Sequence, residues 1–408
     1  METFRADPFM TGPGGRRVLR SFSLAERDRR YARVRELMAS EGLDAILAPG
    51  ADGGEPQAPS RYLCQVGGVQ AGAWVVFPAS GEPVVVFSSE RHMRMWTDNL
   101  AWPTETVWGE ASDAVPERVK ALGLEGARIG VAGMASVRRA EGVIPYETWS
   151  RITKALPKAS FVAAEEVLDR ARVVKGAEEV AVLEAITRAN EDAIAKMMET
   201  ARPGVEEAAV WVEMNDVLVR HTAEYPSRLS LGSNDRRANA GNAAALPIGL
   251  EDGGVVSQEI AASLQGYQAQ SNHSILVGLV GSANADAYRE AMTAAVDVFH
   301  ALVAWVKPGK TVGELLDEYA RLGEEAGADV GGVMMHTNGL AGDRPRVGVG
   351  PNAHSQEWVI KQGWTFTIKT GLAMRSTGAY AQVGDPVTVE AGGARRLGRR
   401  KLEPFVTG

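Results

Sequence analysis

A glutamate stands in a segment that should form a strand. Gly253-Gly-Val-Val-Ser-Gln-Glu259 and the Ile-Ala that follows it are otherwise apolar or small. Glutamate is depleted in strands and costly to bury without a partner. Glu259 is therefore either a solvated outward side chain or a carboxylate kept for chemistry, attacking carbon or moving a proton. Lys369 poses the same question in the strand Trp364–Gly371. It is either a counter-ion or a catalytic amine. Gln270 and Asn272 are two residues apart and share one strand face, where Asn272 can donate to a substrate. His273, at odd separation from Gln270, faces the other way and reads as structural. His336 opens a His-Thr-Asn-Gly loop and is a candidate proton donor. Asp343, Arg344 and Arg346 form a charged stretch. It is either a surface loop or a guanidinium clamp for a substrate carboxylate.

These residues need a scaffold of two domains. A chain of 408 residues is too long for one small core. Residues 1–20 are rich in Gly, Pro and Arg and read as a loose arm. Over 21–165, helices alternate with strands, which implies a small α/β domain. Ser23 and Glu26 form a capping box for a helix that stops at Gly42. Strands follow at 44–48, 74–77, 83–87 and 128–132, with a helix near 115–122. From 166 to 408, two helix pairs, each broken by Pro-Gly at 203–204 and 308–309, precede strand-rich stretches. The strands that matter are 255–261, 267–277, 364–371 and 385–390. This is a weak internal repeat and an α+β domain.

Composition narrows the partners. A net charge of −7 gives no reason to expect nucleic acid or anionic lipid. No stretch approaches a membrane span, and residues 1–17 do not read as a signal peptide, so the expected location is cytoplasmic. The single cysteine, Cys64, rules out an intrachain disulfide.

The order of landmarks resembles the creatinase, prolidase and methionine-aminopeptidase superfamily. Arg172-Val-Val-Lys-Gly-Ala-Glu-Glu179 resembles its entry helix. Arg202-Pro-Gly-Val-Glu-Glu207 and Val306-Lys-Pro-Gly-Lys-Thr311 resemble its helix-linking turns. Gly253 to Glu259, Gly266-Tyr267, Gly363 to Ile368 and Asp385 to Val389 resemble its strands. The resemblance implies an α/β N-terminal creatinase-type domain, with Arg61-Tyr-Leu63 at a familiar place, followed by an α+β pita-bread domain. It also implies a homodimer in which Arg61 reaches a substrate carboxylate from the partner subunit.

The same resemblance exposes a departure. Family members hold a metal pair with two Asp, one His and two Glu. Glu259 stands at the first Asp position and Gln270 at the second. Leu340 stands at the His position, Lys369 at the first Glu and Gly384, or Asp385 if the register slips, at the last. Hard cations want anionic oxygen, so no metal and no other cofactor is expected here. Creatinase, a metal-free member, has an acid/base histidine where this chain has Asn242. Ectoine hydrolase, another, shares the Glu-Ile-Ala of 259–261. The expected function is therefore a metal-independent hydrolase or lyase cleaving a C–N bond of a small polar nitrogenous substrate. Glu259, His336 and Lys369 would be catalytic. Gln270, Asn272, Tyr267, Asn242, Arg344, Arg346 and Arg61 would bind substrate. Glu259 and Lys369 are expected on adjacent strands, as a salt bridge in the space the metals would fill. The alternative is a non-catalytic pita-bread module that binds a peptide or small molecule. An Xaa-Pro aminopeptidase or dipeptidase ranks last.

Overall fold

The computed structural model describes residues 9–19, 21–50, 58–67, 72–99, 101–102, 104–135, 141–233, 245–279, 281–341, 344–348 and 355–407. The chain divides into two compact units, Met1–Arg172 and Val173–Gly408.

The first unit opens with a small hairpin, β1 (Phe9–Thr11) and β2 (Arg17–Leu19). Its main sheet has β3 (Ala45–Ala48), β4 (Ala73–Pro78), β5 (Val84–Phe87), β6 (Glu105–Trp108), β7 (Arg128–Val131) and β8 (Ser160–Ala163). Their order is β6-β5-β4-β3-β7-β8. Six helices accompany them: α1 (Leu24–Glu41), α2 (Ala58–Cys64), α3 (Glu90–Asn99), α4 (Ala111–Ala121), α5 (Tyr146–Ala155) and α6 (Glu165–Arg172). Helix α1 starts where Ser23 accepts from the Glu26 amide at 3.2 Å and ends at Gly42 with φ 63°. That left-handed turn suits a residue without a Cβ. Glu26 does not close the capping box. Its carboxylate turns to Arg29 and Arg30 instead, and Arg30 is buried among Phe22, Tyr62 and Trp102.

The second unit carries four helices, α7 (Ala177–Thr200), α8 (Glu207–Thr222), α9 (Ala283–Trp305) and α10 (Val312–Glu325). Eleven strands among the described residues form its sheet. They are β9 (Arg228–Gly232), β10 (Val255–Leu264), β11 (Tyr267–His273), β12 (Ile275–Val277), β13 (Ala328–Val330), β14 (Val333–Thr337), β15 (Arg346–Gly348), β16 (Thr365–Met374), β17 (Tyr380–Glu390), β18 (Gly393–Arg396) and β19 (Val406–Thr407). The main path runs β15-β14-β16-β17-β11-β10-β12-β19, with β9 paired to β10. Strand alternation gives this sheet two different faces. Phe366, Ile368 and Leu372 of β16 join Met292, Ala295 and Phe299 of α9 in the unit's core. On that face Thr370 donates to the Ala295 carbonyl at 2.8 Å, and Asn190 of α7 donates to the Ala269 carbonyl at 2.7 Å. Thr367 and Lys369, one residue out of phase, point to the other face.

No helix among the described residues is long and apolar enough to cross a membrane.

Candidate functional site

The strand register lays two rows of side chains across the face away from the helices. The first row runs Lys369, Gly384, Asn272, Glu259 and Ser230, over β16, β17, β11, β10 and β9. The second carries Arg346, His336 and Thr367 over β15, β14 and β16. It continues through Gln270, Ala261 and Arg228 over β11, β10 and β9.

Lys369 and Glu259 meet, with Nζ donating to Oε1 at 3.2 Å. They are not on adjacent strands. The sheet order puts β17 and β11 between them, because β10 and β11 form one hairpin and β16 and β17 another. Two long side chains therefore lie flat over the intervening strands. Gly384 makes this passage open: a Cβ there would stand 2.9 Å from Lys369 Cγ and 3.1 Å from Asn272 Oδ1. The last ligand position thus holds a residue whose missing side chain admits the lysine.

The second oxygen of Glu259 is taken by Arg228, whose Nε lies 2.5 Å from Oε2. Both partners of the central pair are buried, Glu259 4 % and Lys369 7 % exposed. Burial raises the Glu259 carboxyl, but Lys369 and Arg228 outweigh it and hold it below the ordinary carboxylate range. Burial lowers Lys369, and its one carboxylate does not restore it because Arg346 and Arg228 repel it as well. The two directions agree with a centre that has more cations than carboxylates.

His336 sits beside this pair through Gln270. Its Nε2 faces Gln270 Oε1 at 2.8 Å and its Nδ1 faces the Thr337 carbonyl at 3.0 Å. In its Nε2–H form the ring donates to Gln270 Oε1. Gln270 turns its amide nitrogen toward Asn272 Oδ1 at 3.4 Å. Thr367 Oγ1 lies 2.9 Å from Asn338 Oδ1 and 3.2 Å from the Gln270 carbonyl, with one proton to share between them.

Other expected site residues fall elsewhere. Tyr267 is buried with its hydroxyl donating to Glu179 at 2.7 Å. Glu179 in turn accepts from the Gly176 amide at the start of α7. Tyr267 therefore anchors a helix and does not present its hydroxyl to a substrate. His273 bonds the Glu403 carbonyl through Nε2 at 3.1 Å, and burial and Arg400 push its pKa down to about 3. It is a structural histidine. Arg344 lies half-buried just before β15. Arg61 belongs to α2 of the first unit. Asn242 and Asp343 lie outside the described residues.

Sequence reasoning missed Arg228, although Arg228 and Ser230 alternate with Leu229 and Leu231 in a strand pattern. Arg400 also bears on the site. That side chain pairs with Asp385 and donates to the Asn272 and Gly384 carbonyls at 2.8 and 3.2 Å, tying β11 to β17 under the first row.

Residues 181–391 match the family model described as metallopeptidase family M24, and residues 30–174 match the creatinase/prolidase N-terminal domain. The chain belongs to metallopeptidase family M24. Its architecture is a creatinase-type N-terminal domain followed by a pita-bread domain, and the family is one of hydrolases. This M24 chain is 24 % identical to the Xaa-Pro dipeptidase of Pyrococcus furiosus over 274 residues, 64 % of this chain and 74 % of that protein. It is 23 % identical to the uncharacterised peptidase YqhT of Bacillus subtilis over 259 residues, 62 % of this chain and 69 % of that protein. The solved dipeptidase PepE of Mycobacterium ulcerans superposes with a TM-score of 0.76 at 22 % identity, covering 95 % of this chain and 99 % of that one. These relatives correct the functional expectation. They are peptidases, the class ranked last, and none supports a creatinase- or ectoine-hydrolase-like enzyme for small nitrogenous compounds.

The family implies a metal pair, and the residues present do not fit one. No group of three His, Cys, Asp or Glu among the described residues converges to hold a metal. Glu259 has both oxygens on cations, Gln270 is uncharged, Gly384 supplies no ligand, and Lys369 brings its ammonium into the centre. A divalent cation placed there would meet like charge where it needs anionic oxygen.

Proposed function

We propose that this chain is a peptide hydrolase of the Xaa-Pro dipeptidase class, taking a short peptide on the two-row face of its pita-bread domain. The observation that carries this reading is the match of both family models, in order, together with a curated Xaa-Pro dipeptidase aligned over 64 % of the chain. The site's own chemistry fits a peptide. Asn272, Gln270 and the His336 ring offer hydrogen bonds to an amide, and Arg346 offers a guanidinium group to a carboxylate. His336 is the proton donor for a leaving amine, with Nε2, now facing Gln270, released to it when the peptide binds.

A second reading is capture of the peptide without turnover. It is favoured by the Glu259 carboxylate, which two cations hold and which is therefore a weak base. One experiment separates the two. A panel of Xaa-Pro dipeptides is assayed for released proline, with and without added divalent metal, and titrated by calorimetry. Released proline is the expected result. Binding heat without proline transfers the conclusion to capture. Neither proline nor heat overturns both.

A further inference from the structure

The two hairpins that build the two-row face are well paired inside and thinly joined to each other. β10 and β11 share six register pairs, and β16 and β17 share nine. β11 meets β17 through two, Asn272 with Gly384 and His273 with Val383. Lys369 and Glu259 stand on opposite sides of this seam. Three interstrand steps of about 4.8 Å separate their strands, roughly 14 Å in all. Two side chains and one 3.2 Å contact must cover that span, so the pair has little slack.

The C-terminal segment holds the seam from the opposite face. Five of the seven residues from Arg395 to Lys401 are basic, and two of them turn inward. Asp385, out of phase with Gly384 and fully buried, pairs with Arg400 through Oδ1, and Arg396 Nε stands 3.5 Å from its Oδ2. The other terminal nitrogen of Arg400, Nη2, carries two protons. It donates to the Asn272 carbonyl at 2.8 Å and to the Gly384 carbonyl at 3.2 Å, one residue from each side of the seam. Glu191 of α7 fixes the segment in turn, its Oε1 accepting from the Arg399 and Arg400 amides at 2.5 and 2.6 Å. Gly398 permits this approach: a Cβ there would stand 2.7 Å from that same oxygen and 2.9 Å from Asp385 Oδ2.

We propose that Arg400 is a positioning residue of the site. Residues 396–400 clamp the seam, and the Arg400 fork sets the gap that Lys369 crosses to reach Glu259. Both act at Gly384, with the Lys369 stem over it on one face and the guanidinium on its carbonyl from the other. The inference deepens the peptide reading and rests on it only where activity is the readout. The clamp itself rests on the bonds to Asn272, Gly384, Asp385 and Glu191.

Trace acetylation with acetic anhydride, read on the Lys369 peptide by mass spectrometry, reports how readily the seam opens. A lysine at 400 can pair with Asp385 but cannot fork to two carbonyls. Arg400→Lys should therefore unfold in urea near wild type yet label Lys369 about tenfold faster or more, the loss of a charge-assisted hydrogen bond. Gly398→Ala lifts the segment without changing the guanidinium and should speed labelling too. Arg399→Ala removes an exposed cation, keeps its amide on Glu191 and should label as wild type does. Wild-type labelling in a folded Arg400→Lys overturns the clamp. Equal acceleration in Arg399→Ala also overturns it, because tail charge would then be the cause. Should Arg400→Lys fail to fold, Gly398→Ala carries the same test. With an Xaa-Pro dipeptide, Arg400→Lys should lower kcat/KM about tenfold or more, since small misplacements of reacting groups are costly. Faster labelling with proline release unchanged overturns the positioning role. No proline from wild type removes the peptide reading, and labelling then decides the clamp alone.

Discussion

At the scale of single residues, the centre is an asymmetric ion cluster, and removing different members should have different costs. Glu259→Gln leaves Lys369 buried with no carboxylate and Arg228 without its partner. Breaking a buried pair by removing one member costs about 3–5 kcal/mol, because the survivor stays charged in a poor solvent. Lys369→Met should cost less. Glu259 keeps Arg228, whose side chain is 25 % exposed, and methionine fills the channel over Gly384 with an apolar chain of similar length. The double change Glu259→Leu with Lys369→Met should recover most of the loss seen in Glu259→Gln, since neither charge remains to be desolvated. Urea unfolding of the three variants checks the order. Equal losses in the two single variants would show that the pair is solvated. Both pKa directions are downward for different reasons. Burial lowers Lys369, with Arg346 and Arg228 adding to it, whereas the two cations on Glu259 outweigh the burial that raises it.

At the scale of strands, the site depends on Gly384 having no side chain. A Cβ at that point would also meet the Ile368 carbonyl at 3.0 Å, besides Lys369 and Asn272. Gly384→Ala should therefore push Lys369 off the strand surface and cost about 1–3 kcal/mol, the usual range for overpacking. Lys369→Met combined with Gly384→Ala should cost less than the sum, because thioether chains bend where a paired ammonium cannot. Thermal unfolding of the cycle measures this coupling, and strict additivity would show that the contact is relieved elsewhere. Much of the strand scale was legible in the sequence. Period-two alternation puts Gln270 and Asn272 on one face and His273 on the other, and the register confirms that division. The pairing of Glu259 with Lys369 was also legible, through the family positions they occupy. The strand order was not. Two hairpins side by side place four strands where sequence position suggests neighbours, and no local pattern encodes which hairpin edge meets which. Arg228 was hidden for a related reason. β9 has five residues, too short for alternation to stand out from a loop. Tyr267 misled because its position by resemblance says where the residue lies and nothing of where its hydroxyl is bonded.

At the scale of the whole molecule, the first unit carries an exposed surface that asks for cover. β6 is the edge of its sheet, and Trp108 on it is 55 % exposed. The neighbouring α3 has no buried residue, and its Met95 is 49 % exposed. An uncapped edge strand with a large exposed apolar side chain invites pairing with another chain. The superfamily resemblance implies a homodimer, so we take a second copy of this chain as the cover. Sedimentation velocity at micromolar concentration should then give a species of twice the 43.5 kDa chain mass. Trp108→Lys places a charge on the edge, a common natural device against strand pairing, and should shift the protein toward monomer. Because Trp108 is largely exposed in the single chain, this variant should unfold within about 0.5 kcal/mol of wild type when compared as monomers. A wild-type monomer at that concentration counts against the dimer. A wild-type dimer that Trp108→Lys leaves intact would keep the dimer and move its interface away from this edge.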